Sequence, residues 1–120
     1  MTATYDLTVR RVRSIGVPNP TIIAPAEELD ISTVDDFRAD LERALEGGET
    51  DVVVDLSEVD FIDSTGLSAI LHAESRLRRE GRRLAIVAPR GTAAAVLFTL
   101  SGLRSQLSIY DSTRAALQHP

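Results

Sequence analysis

The fold is decided by residues 52–67, which read VVVDLSEVDFIDSTGL. The β-branched run at the start predicts a buried strand over residues 51–56, and an acidic connection follows it. Asp-Ser-Thr-Gly-Leu then opens a helix, which we predict over residues 64–80. This order places the Ser64 hydroxyl in the first turn of a helix, just beyond the carboxyl end of a strand. Open α/β sheets keep their functional sites at that edge, so the residues around Ser64 are the first candidates for function.

Ser64 admits two roles. Serine is a good N-cap residue, because its hydroxyl accepts a hydrogen bond from an N–H group of the first turn. A helix N-terminus also accommodates an anion such as a phosphate on Ser64, since its first N–H groups have no partners within the helix. Glycine in a first turn costs up to about 1 kcal/mol relative to alanine, so Gly66 predicts the close approach of another backbone or of a partner. Residue chemistry alone leaves capping and modification both open for Ser64.

Strands and helices alternate over the rest of the chain. We predict four further strands, at Tyr5–Val12, Thr21–Ala24, Leu84–Ala88 and Leu107–Tyr110, with a loop over residues 13–20. We predict three further helices: one capped by Ser32 with Asp35 in a capping box and ended by Gly47-Gly48, one at Ala93–Leu100, and one capped by Asp111 and running through Leu117. The alternation favours an α/β fold with parallel neighbouring strands.

Composition narrows the class of protein. A chain of 120 residues with 43% hydrophobic and 26% charged residues is expected to form one globular domain, residues 1–120. The absence of cysteine excludes disulfides and thiolate chemistry, and two histidines are too few for an ordinary zinc site, so we expect no metal and no cofactor. No apolar run approaches the roughly 18 to 20 residues of a membrane span, and no signal core is visible. We therefore expect a cytoplasmic protein without membrane contact.

Charge is distributed unevenly, with a change of sign at Ser64. Residues 27–63 contain fourteen acidic residues and two arginines, whereas residues 64–120 contain eight arginines and three acidic residues. Five of these arginines cluster around the end of the predicted Ser64 helix, where cations are expected because they complement the helix dipole. The chain is acidic overall, with a formal net charge of −5, so we expect no direct contact with nucleic acid.

The sequence does not indicate an enzyme. Asp60 and Asp63 form a pair of acidic residues, but acidic residues before a helix are ordinary partners of its dipole. Nucleophile–base pairs, phosphate-cradling glycine loops and metal-ligand spacings are not found elsewhere in the sequence. We therefore predict a binding protein.

Three segments together resemble a known family. Residues 53–67 resemble the signature of the STAS domain, in particular that of the bacterial anti-sigma factor antagonists. Glu28-Leu29-Asp30 is similar to the Gly-Glu-Leu-Asp turn of that family, although Glu27 stands where the family usually has glycine. Residues 97–103, LFTLSGL, are similar to its late Leu-Phe-x-x-Ser-Gly-Leu segment. The matches follow the family order over residues 20–118.

The resemblance implies a fold and a switch. The fold would be a mixed, mostly parallel sheet of about five strands, with about four helices packed mainly on one side. Ser64 would be phosphorylated by an anti-sigma factor kinase, and a phosphatase would reverse the reaction. The unphosphorylated protein would bind that kinase and release the sigma factor. The implied partner-binding residues are Glu28, Asp30, Asp60, Asp63, Thr65, Gly66 and Leu67.

A second function remains open. Related domains serve as ligand-binding modules or as scaffold subunits of transport and signalling assemblies, without phosphotransfer. In that case Ser64 would remain only as a helix cap.

Overall fold

The computed structural model describes residues 9–11, 21–47 and 51–118. The seven strands are β1 (Val9–Arg11), β2 (Thr21–Ile23), β3 (Glu27–Leu29), β4 (Asp51–Asp55), β5 (Val59–Ile62), β6 (Arg83–Val87) and β7 (Ser108–Tyr110). The four α-helices are α1 (Val34–Glu46), α2 (Ser64–Arg79), α3 (Ala93–Ser101) and α4 (Thr113–Gln118), and a short 3₁₀ turn spans Leu103–Ser105.

Five strands form the main sheet, in the order β1-β2-β4-β6-β7. β1 pairs antiparallel with β2 at one edge, and all other neighbours are parallel. The mixed, mostly parallel sheet predicted from the sequence is therefore confirmed. β1 lies within the predicted strand at residues 5–12; the rest of that strand and the predicted loop at 13–20 lie outside the described residues.

Both faces of the main sheet are covered, which explains why Val52, Val53 and Val54 are all buried. The larger cluster of buried side chains lies between the sheet and helices α1, α2 and α3, and includes the fully buried Phe37 and Phe98. On the reverse face, Ala116 of α4 packs with four residues of the central strands: Ile22, Val53, Ala85 and Val87. The helices are thus mainly on one side, as predicted.

A second, two-stranded sheet is the feature that the sequence analysis missed. β3 and β5 pair in parallel, with Glu28 opposite Phe61 and Leu29 opposite Ile62. Reading the residues between the β4 strand and the α2 helix as a mere acidic connection was wrong. The two strands are short and each exposes polar side chains, so neither carries a strong local signal for a strand.

Two predicted helix caps lie one residue away from the observed ones. α1 begins at Val34 with Thr33 in the N-cap position, because the Ser32 hydroxyl donates to the Asp30 carboxylate at 2.7 Å and does not cap the helix. The capping box expected between Ser32 and Asp35 is therefore wrong. At α4 the Ser112 hydroxyl accepts a hydrogen bond from the Ala115 N–H at 3.0 Å.

This Ser112 contact corrects the prediction that Asp111 caps the C-terminal helix. The other predicted helices and strands of the described residues agree with the observed bounds to within about one residue.

Candidate functional site

Asp63 is the N-cap of α2. Its Oδ1 accepts hydrogen bonds from the backbone N–H groups of Thr65, at 2.9 Å, and Gly66, at 3.3 Å. The same oxygen accepts a hydrogen bond from the Thr65 hydroxyl at 2.6 Å. One carboxylate thus satisfies donors at the start of the helix that would otherwise have no partner. Of the two roles that the sequence leaves open for Ser64, capping is therefore wrong.

The two adjacent hydroxyls of this turn have different environments. Ser64 is the first residue of α2 and is exposed, and its hydroxyl makes no hydrogen bond within residues 21–47 and 51–118. Thr65 is half-buried, and its hydroxyl is occupied by Asp63. Only the Ser64 hydroxyl can therefore be modified without disturbing the cap of α2.

Gly66 is the point at which α2 contacts β3. A Cβ atom on this residue would lie 2.9 Å from the carbonyl oxygen of Leu29 and 3.2 Å from Cγ1 of Ile62. The predicted close approach of another backbone at Gly66 is therefore confirmed. Gly66 is buried, and its lack of a side chain allows β3 and α2 to lie close together beneath the surface around Ser64.

The small sheet brings two distant segments of the chain to one surface. Besides the β3–β5 pairing, the Asp63 N–H donates to the Leu29 carbonyl at 3.1 Å. The register of the two strands shifts beside Asp60, which is exposed at this irregularity. Bulges of this kind redirect side chains at functional edges. Glu28 therefore lies beside Phe61, and Asp30 lies close enough to Asp63 for the two carboxylates to interact.

The loop after β3 is held by a local network centred on Asp30. Its Oδ1 accepts hydrogen bonds from the Ser32 N–H, at 2.9 Å, and from the Ser32 hydroxyl. The Thr33 hydroxyl donates to the Glu28 carbonyl at 2.9 Å and accepts from the Asp30 N–H at 3.0 Å. Hydrogen bonds from Asx and hydroxyl side chains stabilise tight turns in this way. The loop therefore enters α1 in a fixed conformation.

The hydrogen bonds to Asp63 and to Asp30 favour the ionised form of each carboxyl group. The Thr65 hydroxyl, helped by the Gly66 and Thr65 N–H groups, lowers the pKa of Asp63 below its usual 3.8. The Ser32 hydroxyl likewise lowers the pKa of Asp30, against the opposing effects of burial and, more weakly, of the Asp63 charge. A carboxyl group whose pKa is lowered by folding stabilises the fold at pH values above its unfolded pKa. These contributions are present at neutral pH and are lost only as the pH falls through the lowered pKa values.

We call this surface the acidic rim and define it by Glu28, Asp30, Asp60, Asp63, Ile31 and Phe61. Phe61 is 51% exposed and Ile31 is 76% exposed, so two large apolar side chains lie among the carboxylates. The sequence analysis named the four acidic residues but not Ile31. An isolated apolar residue between the polar residues of a turn was the only signal that could have found it.

Thr65 and Leu67 complete the sequence-predicted site. Leu67 is half-buried and packs against the main core, so it anchors the first turn of α2 beneath the acidic rim. Thr65 holds the cap, as described above. Both residues are therefore within the same turn as Ser64, with most of their surface directed to the protein.

Glu27 has a backbone conformation that favours glycine. Its φ is 66°, and no other non-glycine residue among the described residues has a positive φ. Its N–H donates to the Glu58 carbonyl at 3.0 Å, so β3 enters the small sheet through this conformation. A side chain in the left-handed region costs roughly 1–2 kcal/mol. The turn before the acidic rim therefore carries local strain.

Residues 9–11, 21–47 and 51–118 hold neither a metal site nor a membrane-spanning helix. These residues contain no group of three or more His, Cys, Asp or Glu side chains arranged to hold a metal ion. None of the helices in this part of the chain combines the length and the apolar character needed to cross a membrane.

A family model described as the STAS domain matches residues 11–116. The chain belongs to the STAS domain family. Its fold, a mixed sheet with a small second sheet and helices mainly on one face, is the SpoIIAA-like STAS fold.

Several solved structures are similar to this chain over most of their length. An anti-sigma factor antagonist from Mycobacterium paratuberculosis is 23% identical, with a TM-score of 0.78 and coverage of 98% of this chain and 96% of that one. A Thermotoga maritima protein assigned to the same class is 25% identical, with a TM-score of 0.79 and coverage of 93% and 92%. SpoIIAA of Bacillus in its phosphorylated form is 21% identical, with a TM-score of 0.63 and coverage of 90% and 96%.

In this STAS domain, residues 53–67 include both the residues that hold the candidate site in place and the residues that it exposes. Asp63, Thr65 and Gly66 build the start of α2 and its contact with β3. Asp60 and Ser64 are exposed and are not needed for those contacts. The arrangement can therefore present a modifiable hydroxyl on a rigid base.

Proposed function

We propose that this protein is an anti-sigma factor antagonist whose binding is switched by phosphorylation of Ser64. The proposal rests on the different roles of two neighbouring residues at the start of α2. Asp63 caps the helix, whereas the Ser64 hydroxyl is exposed and has no partner among the described residues. Unphosphorylated protein would bind an anti-sigma factor kinase and release the sigma factor. The kinase would then phosphorylate Ser64, and a phosphatase acting on phosphoserine would restore binding.

The names of the structural relatives support this assignment. They include anti-sigma factor antagonists, and one of them was solved in a phosphorylated form. In this proposal the protein is a substrate of a kinase and not an enzyme. It acts in the cytoplasm by protein–protein contact, without touching nucleic acid or a membrane.

Electrostatics explains how one phosphate would act as a switch. A phosphoserine carries about −1.5 to −2 charges at neutral pH. Placed beside Asp60 and Asp63, it would add to an already acidic surface that has to be desolvated when a partner binds. Leaving such a charge imperfectly paired at an interface is costly, and a hundredfold loss of affinity requires only about 2.7 kcal/mol.

The fold itself should hardly respond to the phosphate. The N–H groups at the start of α2 attract an anion by about 0.3–1 kcal/mol. The neighbouring carboxylates oppose it at short range. Because these effects are of opposite sign, phosphorylation changes what the surface binds and leaves the structure beneath it unchanged.

The kinase-docking surface would be the acidic rim. Glu28, Asp30, Asp60 and Asp63 supply negative charge, and Phe61 and Ile31 supply apolar area among them. Binding sites between proteins typically combine an apolar centre with a polar margin. We therefore expect the facing surface of the kinase to be basic around an apolar pocket.

The first experiment is phosphosite mapping by mass spectrometry on the protein isolated from the cells that express it, in growth and under stress. We expect phosphate on Ser64, with an occupancy that differs between the two conditions, and none on Thr65. Absence of phosphate on Ser64 in all conditions would contradict the proposal and favour a ligand-binding or scaffold role.

Binding measurements with matched variants then test the switch. Ser64→Ala should bind the anti-sigma factor kinase constitutively, whereas Ser64→Asp should bind at least tenfold more weakly. Ser68, an exposed serine one turn further along α2, provides the control: Ser68→Asp should leave the affinity close to that of the parent protein. Equal affinities of Ser64→Ala and Ser64→Asp would contradict the switch.

A further inference from the structure

A cavity lies between α3 and the ends of β6 and β7, apart from the acidic rim. It has a volume of about 340 Å³, and its lining includes Ala88, which follows β6, and Asp111, which follows β7. The carboxyl ends of parallel strands are the edge at which α/β sheets hold ligands. The volume falls within the range of about 300–1,000 Å³ found for small-molecule pockets.

Two arginines give this cavity its charge. Arg90 and Arg104 both line it, and neither forms an ion pair within the described part of the chain. Six other described arginines each have an acidic partner: Arg38, Arg43, Arg76, Arg78, Arg82 and Arg83. Asp111 is the acidic residue of the lining, so the cavity has a net positive charge in an acidic protein.

The wall formed by α3 is apolar. Val96 and Leu100 line the cavity and are 51% and 81% exposed, so they account for half of the four large hydrophobic residues that the described surface exposes. Both belong to α3, and neither is part of the acidic rim. Thr99, on the same wall, adds a hydroxyl group. The cavity therefore places apolar surface directly beside two guanidinium groups.

We propose that this cavity binds a small organic anion, in which a carboxylate or phosphate group is attached to a short hydrocarbon or ring. Guanidinium groups bind carboxylates and phosphates through paired N–H donors. The apolar part of the ligand would cover Val96 and Leu100. Asp111 would accept a hydrogen bond from a hydroxyl or amide of the ligand and would exclude ligands of high negative charge.

The proposal is independent of phosphorylation at Ser64. No residue of the cavity lining belongs to the acidic rim or to the first turn of α2. The Ser64→Ala variant should therefore bind the anion as the parent protein does, and failure of one proposal leaves the other unaffected.

Amide chemical shifts of the ¹⁵N-labelled full chain test the proposal, with phenyl phosphate as the probe. We expect saturable shifts at Ala88, Gly91, Val96 and Thr99, and at least tenfold weaker binding of both phenol and inorganic phosphate. Non-saturating shifts would overturn the proposal. So would shifts centred on Ala69 and Ala73, which line a separate groove between α1 and α2.

Arginine variants separate the cavity from general attraction to positive charge. The double variant Arg90→Gln/Arg104→Gln should weaken phenyl phosphate binding at least tenfold. Arg114→Gln removes a charge from α4, where the arginine also has no ion pair within residues 21–47 and 51–118, and should leave binding unchanged. Equal effects of the double variant and the control would overturn the assignment.

Discussion

Both sheets of this protein contain parallel strand pairs, but the two sheets differ in how much of their surface is buried. The central strands of the five-stranded sheet are buried on both faces, and β4 contributes Val52, Val53 and Val54 with at most 1% exposure. The two-stranded sheet buries Val59, Ile62 and Leu29 but exposes Phe61 and the acidic residues beside it. The large sheet holds the fold together, and the small sheet shapes the surface that we propose for the kinase.

The difference shows how a binding surface can be both exposed and rigid. Most residues of the acidic rim are exposed, and the backbone beneath them is fixed by strand pairing, by the Asp63 cap and by the Asp30 network. The side chains of Glu28, Ile31, Asp60 and Phe61 are exposed and can contact a partner, while the backbone sets their positions in advance. Preorganisation of this kind reduces the entropy lost on binding.

The largest difference is expected between two phenylalanines, Phe37 beneath the main sheet and Phe61 on the surface of the small sheet. Phe37 is fully buried in the main core, so Phe37→Ala should reduce the free energy of unfolding by about 3–5 kcal/mol. Phe61, on the small sheet, is half-exposed, so Phe61→Ala should change it by only about 0.5 kcal/mol. Phe61→Ala should instead weaken binding of the anti-sigma factor kinase. Chemical denaturation of both variants checks this; similar losses would show that the small sheet belongs to the core.

A smaller effect is expected where the two regions meet, at Gly66. Gly66→Ala would place a Cβ atom 2.9 Å from the Leu29 carbonyl oxygen. We expect a destabilisation of about 1–3 kcal/mol, although alanine is the better helix former by about 1 kcal/mol. Ser68→Ala on the exposed side of α2 is the control and should be neutral or slightly stabilising. A Gly66→Ala protein as stable as the parent would mean that β3 moves away at little cost.

The smallest effect should be a gain at Glu27. Glu27→Gly would relieve a φ of 66°, and the relief of about 1–2 kcal/mol exceeds the entropic cost of glycine, about 0.5–1 kcal/mol. We therefore expect up to about 1 kcal/mol of added stability, measured as a higher melting temperature. Glu28→Gly, at the next position of β3 without positive φ, should lower the melting temperature. A loss in both variants would show that the Glu27 side chain contributes more than its strain costs.

The sequence predicted the large sheet well because its strands are locally encoded. Runs of β-branched residues such as 52–54 and helices with a clear apolar period leave little choice of structure. The small sheet was missed because β3 and β5 are stabilised by pairing with each other across about thirty residues, and not by their own propensity.

The sequence placed Asp63, Ser64 and Thr65 at the start of α2, but it did not show which hydrogen bonds each side chain makes there. Ser64, Asp63 and Thr65 were all recognised, yet spacing alone does not show which of them caps α2. Each accepts or donates hydrogen bonds and lies within reach of the first turn. The assignment depended on the orientation of the Asp63 side chain toward Thr65 and Gly66. Similarly, Ser32 was a reasonable cap by type, but its hydroxyl donates to the Asp30 carboxylate.

The Asp63 cap has a consequence for signalling over time. Asp63 caps the helix, and Ser64 is the residue that we propose to be phosphorylated. Under that proposal, phosphate could be added and removed repeatedly without the helix having to reform. The speed of such a circuit would then be set by its kinase and phosphatase, with no refolding delay.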